Sequence, residues 1–220
     1  MTLFQNRTAA GMRLAAQLAP EVAQRQPIVL GLARGGVPVG LELARHLQAP
    51  LDVFVVRKLG APSQPELALG ALASGDVAVL NRELIEILQV PGDTLQRIIA
   101  AEREELERRE AAYRMGAPAL DIEGRTVIVA DDGLATGASM RAALTALLRA
   151  RPAEIIAAIP VAPPETLLAI RQLVDDVVCI ATPEPFYSVG AWYADFTPVS
   201  DQELRQALAE ARSWGSAPCL

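Results

Sequence analysis

The chain has 220 residues, 51% apolar and 21% charged, with 20 Lys and Arg against 26 Asp and Glu and a formal net charge of −6. That composition suits one sizeable globular domain, and the acidic balance argues against non-specific nucleic-acid binding, which needs surplus cations to neutralise phosphates. Two distant cysteines, Cys179 and Cys219, and a sole histidine, His46, cannot assemble a Cys/His metal site.

The opening stretch MTLFQNRTAAGMRLAAQLAPE mixes Gln, Asn and Arg into its apolar residues and lacks the continuous apolar core of a signal peptide. Its apolar spacing predicts an amphipathic helix over Leu3–Leu18. No apolar run approaches the roughly 18 residues of a membrane span, so the expectation is a soluble, cytoplasmic protein with reduced thiols and no membrane partner. Pro27–Ala33, PIVLGLA, is a continuous apolar run that predicts a strand buried on both faces. It breaks at Arg34-Gly35-Gly36, and Val37–Leu47 follows as a helix with Pro38 in its first turn. Leu51–Val56 is a second buried strand, and Leu69–Ala73 and Val77–Leu80 flank Ser74-Gly75-Asp76 as a hairpin or arm.

From Arg82 the pattern becomes helical. Glu83–Leu88 is a short helix, Pro91-Gly92 a turn, and Asp93 is expected to cap a long helix to about Arg114. The mostly charged Glu102–Arg109 predicts a solvated face, so 82–116 reads as a helical insertion. Alternation then resumes: strand Thr126–Ala130, helix Ala138–Arg149, strand Glu154–Val161, helix Pro164–Leu173 and strand Val177–Ala181. Strands alternating with helices predict an α/β domain, a parallel sheet with helices on both faces. Ligands of such sheets sit beyond the carboxyl ends of the strands. That rule selects Ala33–Gly36, Arg57-Lys58 and Asp131–Ser139.

Val127–Ser139, VIVADDGLATGAS, carries the chemistry. Asp131 and Asp132 sit where a buried strand emerges, and Gly133–Ser139 leads into a helix whose N-terminal amides suit a phosphate. Gly137 permits close backbone approach, while Thr136 and Ser139 add hydroxyls. Acids directly before a phosphate cup would repel the phosphate, so they are expected to face vicinal hydroxyls or a divalent cation. A ribose 5-phosphate has hydroxyls on one side and a phosphate on the other. Response-regulator receivers also carry paired acids after a strand. There the pair follows the first strand, whereas here it lies past mid-chain, and the strand ends at Pro160 and Ala181 supply neither an acceptor Asp nor a Lys. P-loop and dinucleotide fingerprints are absent from the sequence.

The segment resembles the phosphoribosyl pyrophosphate motif of type I phosphoribosyltransferases, and the chain is similar to a bacterial subgroup whose acceptors are undefined. The resemblance implies the fold of that family in one domain over 1–220, with a flexible arm at 59–80 and a small hood at 182–200. It implies that Asp131 and Asp132 hold the ribose 2′- and 3′-hydroxyls, and a metal through ribose or water. Ala135, Thr136, Gly137, Ala138 and Ser139 would wrap the 5′-phosphate. Arg34, Gly35 and Gly36 resemble the pyrophosphate loop, and Arg57 and Lys58 the basic pair that neutralises the leaving group. Phe186, Tyr187 and Trp192 would stack on the acceptor base, although aromatics there also suit simple core packing. The implied cofactor is Mg²⁺, and the implied partners are phosphoribosyl pyrophosphate and an unidentified acceptor, with a homo-oligomer left open. Ala135 stands where 6-oxopurine members carry an acid and adenine-type members an alanine, which disfavours a hypoxanthine or guanine acceptor. The alternative is a regulator that senses phosphoribosyl pyrophosphate or a nucleotide on the same fold.

Overall fold

The computed structural model describes residues 2–62 and 64–215; Cys219 lies outside them. In chain order the first half comprises α1 (Arg7–Ala15), α2 (Pro20–Gln24), β1 (Ile28–Leu32), α3 (Gly36–Leu47), β2 (Leu51–Phe54), β3 (Val56–Ala61), β4 (Gln64–Ala73) and β5 (Val77–Leu80). There follow α4 (Arg82–Ile87), α5 (Gly92–Arg114), β6 (Thr126–Ala130), α6 (Ala138–Arg149), β7 (Glu154–Val161), α7 (Pro164–Arg171), β8 (Asp176–Ala181) and α8 (Asp201–Gly215).

Five strands form a parallel sheet in the order β2-β1-β6-β7-β8. Every residue of β1 and β6 is buried. The reason is visible in the pleat, which sends alternate side chains to opposite faces. Val29, Ile128 and Ile156 pack with Leu14, Leu43 and Leu208 from α1, α3 and α8. Ile28, Val127 and Ile155 pack with Leu144, Leu147 and Ile170 from α6 and α7. With helices on both faces, polar alternation has no place, and the strands read as unbroken apolar runs. Each fully buried side chain such as Leu43 or Leu144 contributes about 1.5–3 kcal/mol of burial free energy, so these layers, not the loops, hold the fold.

Several expectations need correction. The lead-in helix is shorter than Leu3–Leu18, because the Asn6 side chain accepts from the Ala9 amide at 2.9 Å and starts α1 there. The strand expected at Leu51–Val56 divides at Val55, whose amide donates to Ser74 Oγ at 2.8 Å. The chain thereby leaves the parallel sheet and enters an antiparallel sheet of order β3-β4-β5. Arg57 and Lys58 therefore lie within β3, opposite Leu72 and Ala71, and do not end a parallel strand. Most of the segment expected as an arm, 59–80, is this sheet, and Leu59, Leu69 and Leu72 are fully buried in it. Asp93 lies in the first turn of α5, where a carboxylate suits the helix dipole, and Pro91 occupies the cap.

Helix α5 is more than a solvated insertion. Ile99, Leu106 and Tyr113 are buried, and Arg114 pairs with buried Asp52 of β2 at 3.0 Å. Helix α8 covers Asp201–Gly215, a segment for which no element is expected above. Its start carries a capping box: Ser200 Oγ accepts from the Glu203 amide at 3.2 Å, and Glu203 Oε2 accepts from the Ser200 amide at 2.7 Å.

Candidate functional site

From β1 the chain turns towards β2, and from β6 towards β7 on the opposite side, so strand order reverses between β1 and β6. Helices α3 and α6 depart to opposite faces and leave a crevice at the two carboxyl ends. The loops Ala33–Gly36 and Asp131–Ser139 both open there. Their contact depends on glycine: a Cβ on Gly35 would lie 2.0 Å from Asp132 Oδ2, and one on Gly36 would lie 2.3 Å from the Ala130 carbonyl oxygen. The Ala33–Arg34 peptide in this loop is cis.

The two acids differ in their surroundings. Asp131 Oδ1 accepts from the Asp132 amide at 2.9 Å, and no ion pair at Asp131 is found among the described residues. Asp132 Oδ2 accepts from Arg7 Nε at 2.7 Å. Arg7 also donates to the Thr197 carbonyl at 2.8 Å, and its guanidinium stacks 3.9 Å from the Phe196 ring centre. The Tyr193 hydroxyl donates to the Asp132 carbonyl at 2.5 Å. Burial pushes the Asp131 carboxyl well above the ordinary range, with the Asp132 charge adding to the rise. Burial also raises Asp132, against the pull of Arg7.

The loop before α6 is shaped to present amides. Gly137 adopts φ 69°, the left-handed region that glycine tolerates, and serves as the helix cap. Two carbonyls are drawn away from the cup: Ala135 oxygen accepts from Thr166 Oγ1 at 2.8 Å, and Thr136 oxygen from Arg141 Nη1 at 2.7 Å. The first amides of α6 have no acceptor inside the helix; that of Ala138 reaches Thr136 Oγ1 at 3.4 Å, a long bond that an anion could replace. Ala135, Thr136, Ala138 and Ser139 are exposed.

Other expected residues are brought less directly to the crevice. Arg34 is exposed, 3.4 Å from Asp201 at the start of α8. Arg57 is held by Glu102 of α5 at 2.6 Å. Lys58 shares a cavity of about 450 Å³ with Ser139 and Arg141, between the β3-β4-β5 sheet and α6. In the hood, Phe186 and Trp192 contact each other at 6.2 Å between ring centres, whereas Tyr187 is 84% exposed. Phe186 and Trp192 also pack on a small core of Phe4, Ala10, Val161 and Tyr193.

Sequence reasoning missed Arg7, Tyr193, Thr166 and Arg141. Arg141 had a signal, since a cation one turn beyond a phosphate loop points back towards it along the helix. Arg7 had none, because its partner lies 125 residues away. Among the described residues no cluster of three or more Asp, Glu, His or Cys could hold a metal ion. Two adjacent carboxylates suit instead a divalent cation that arrives with a ligand's own oxygens, as Mg²⁺ usually does. No described helix is long and apolar enough to cross a membrane.

The fold is a doubly wound α/β sheet with a crevice at its switch point, where paired acids, a glycine loop and the opening amides of α6 meet. A family model for the phosphoribosyl transferase domain matches residues 2–194, and the chain belongs to that family. It is 42% identical over 212 residues to provisionally named phosphoribosyl transferases from two strains of Mycobacterium tuberculosis, with 96% of this chain and 47% of each relative covered. The chain thus spans about half the length of these curated relatives. The crystal structure of TT1426 from Thermus thermophilus matches with a TM-score of 0.82 at 41% identity, covering 96% of this chain and 99% of that one. AQ2163 from Aquifex aeolicus matches at a TM-score of 0.50 and 12% identity over 84% of this chain and 78% of its own, a likeness of fold alone.

Proposed function

We propose that the chain is a Mg²⁺-dependent phosphoribosyltransferase that moves ribose 5-phosphate from phosphoribosyl pyrophosphate to a nitrogenous, nucleobase-like acceptor, releasing pyrophosphate. The observation that carries this reading is the closure of Gly35-Gly36 onto Asp131-Asp132 beside the amide cup of α6. Two neighbouring loops then offer a diphosphate loop, a hydroxyl acceptor and a phosphate cup, the three parts that one donor molecule needs. In this reading Asp131 and Asp132 meet the ribose hydroxyls, Ala135–Ser139 hold the 5′-phosphate, and Gly35-Gly36 offer amides to the diphosphate.

The chemistry is largely electrostatic. As the ribose C1–oxygen bond breaks, positive charge develops on the sugar and negative charge on the leaving pyrophosphate. Mg²⁺, held with the donor beside Asp131 and Asp132, would neutralise part of that charge. Arg34, Lys58 and Arg57 supply the rest; Arg57 does so by exchanging Glu102 for the ligand. Excluding water protects the cationic sugar from hydrolysis, a task for the hood and the β3-β4 hairpin. Ala135 offers no carboxylate to a purine N7, so an acceptor other than a 6-oxopurine is favoured.

Titration with phosphoribosyl pyrophosphate and Mg²⁺ by calorimetry tests the donor. Absence of heat at millimolar ligand would rule it out. A second reading, sensing without turnover, draws on the engagement of Arg57 by Glu102. Screening nucleobases for pyrophosphate release separates the two: turnover on any of them supports the enzyme, and binding without turnover supports the sensor.

A further inference from the structure

Helix α7 packs beside the phosphate cup without contributing a residue to it. Thr166 lies in its first turn, after Pro163 and Pro164, and is only 7% exposed. Its hydroxyl donates to the Ala135 carbonyl at 2.8 Å, 31 residues back in the chain. Its methyl meets the same loop, since a Cβ on Gly137 would lie 2.8 Å from Thr166 Cγ2. Further back, the Leu134 amide donates at 2.9 Å to the Val161 carbonyl, where β7 ends. On the other flank Arg141 Nη1 donates to the Thr136 carbonyl at 2.7 Å. Two consecutive carbonyls, Ala135 and Thr136, are therefore each held by a side chain from outside the loop.

Both peptides are trans, so each carbonyl and the amide that follows it point in opposite directions. Holding the Ala135 oxygen towards α7 turns the Thr136 N–H away from that helix. Holding the Thr136 oxygen towards Arg141 does the same for the Gly137 N–H. Neither amide has a protein acceptor among the described residues, although Gly137 is buried. A buried N–H without a partner is rare, and it is costly unless a ligand or water meets it. Were the 135–136 peptide to turn over, a carbonyl dipole would replace the Thr136 amide and repel a phosphate. We infer that Thr166 is a positioning residue for the phosphate cup, holding the 135–136 peptide so that the Thr136 amide faces the 5′-phosphate. Arg141 fixes the next peptide in the same way. The inference rests on the donor reading above. The cup is thus ordered by α7, an element outside the crevice loops, before any ligand arrives, and the ligand does not have to supply that ordering.

Calorimetry on Thr166→Val and Thr166→Ser tests the assignment. Valine keeps the shape of the side chain and loses the hydroxyl, so Thr166→Val should bind ribose 5-phosphate about tenfold more weakly. Phosphoribosyl pyrophosphate with Mg²⁺ should lose the same factor. Serine keeps the hydroxyl and loses the methyl, so Thr166→Ser should stay within about threefold of the wild type. Pyrophosphate with Mg²⁺ meets Gly35-Gly36 rather than the cup, and Thr166→Val should bind it as the wild type does. A general loosening of the site would weaken all three ligands together. In the ligand-free protein, the ¹⁵N–¹H resonances of Thr136 and Gly137 should move in Thr166→Val and return towards their wild-type positions in Thr166→Ser.

Unchanged ribose 5-phosphate affinity in Thr166→Val would overturn the inference. So would a matching loss of pyrophosphate affinity, or a serine variant as weak as the valine one. Should Thr166→Val not fold, Thr166→Ala removes the same hydroxyl without a second branch. If the wild type binds neither ribose 5-phosphate nor phosphoribosyl pyrophosphate at millimolar concentration, the phosphoribosyl reading falls. The Thr136 and Gly137 resonances of the ligand-free variants then still decide whether Thr166 sets the loop, and unmoved resonances would overturn that as well.

Discussion

At the crevice between β1 and β6, backbone meets backbone; at the β3-β4-β5 sheet and α5, charge meets charge. The crevice relies on Gly36 lying against the Ala130 backbone, which cannot rotate away, and on Gly35 lying against the Asp132 carboxylate, which Arg7 holds in place. The second region relies on side-chain pairs: Arg57 with Glu102, Arg103 with Asp76, and Arg114 with Asp52 and Glu110. The contrast separates a rigid part from an adjustable one. Close-packed backbone has one arrangement, whereas a partly exposed ion pair can trade one partner for another at small cost. On the proposed function, a donor cradle would profit from the first property, and cations that meet a leaving group from the second.

Breaking the rigid side should have the largest effect. Gly36→Ala puts a methyl group 2.3 Å from a backbone oxygen, so we expect about 3 kcal/mol of destabilisation in urea unfolding and loss of donor binding. Arg114→Ala should match it in lost stability, because it strands Asp52 in the core; about 3 kcal/mol should be lost. The double variant Asp52→Leu with Arg114→Met should recover much of that loss, since both charges are then gone. Equal destabilisation in the single and double variants would show that shape, not charge, holds α5 to β2.

Smaller effects sharpen the functional half of the contrast. Asp131→Asn combined with Asp132→Asn should abolish donor binding in calorimetry while the chain stays folded by circular dichroism. Unaltered affinity would remove the carboxylates from the ribose. Glu102→Gln, the mildest change, frees a pair only about a quarter exposed and should cost no more than about 1 kcal/mol of stability. It should also tighten pyrophosphate binding a few-fold by releasing Arg57, and weaker pyrophosphate binding would place Arg57 outside the site.

Much of this was legible in the residues. Strands β6 and β7 and helix α6 fall where the apolar runs and the loop before Ala138 put them, because a strand covered on both faces must be apolar throughout. The positions of the loops at Gly35-Gly36 and Gly133–Gly137 were legible for a similar reason, since each is local and marked by glycine. The division of one expected strand at Val55 was not legible, because it depends on Ser74, nineteen residues away in sequence. Helix α8 was legible and overlooked; Ser200 and Glu203 had the spacing of a capping box.

By itself the sequence determined most of the strands and helices, that a glycine-containing loop leads into α6, and that two acids precede that loop. Those features follow from short-range periodicity and from the geometry of adjacent backbone groups. Tertiary structure alone decided what each charged group does. Arg7 meets Asp132 across 125 residues, Arg57 meets Glu102 across 45, and Arg114 meets Asp52 across 62. A charge carries no local sign of its partner; the packing of α1 on α3 and of α5 on the small sheet brings each pair within reach. The two acids look alike in the chain and differ only because folding places an arginine beside one of them.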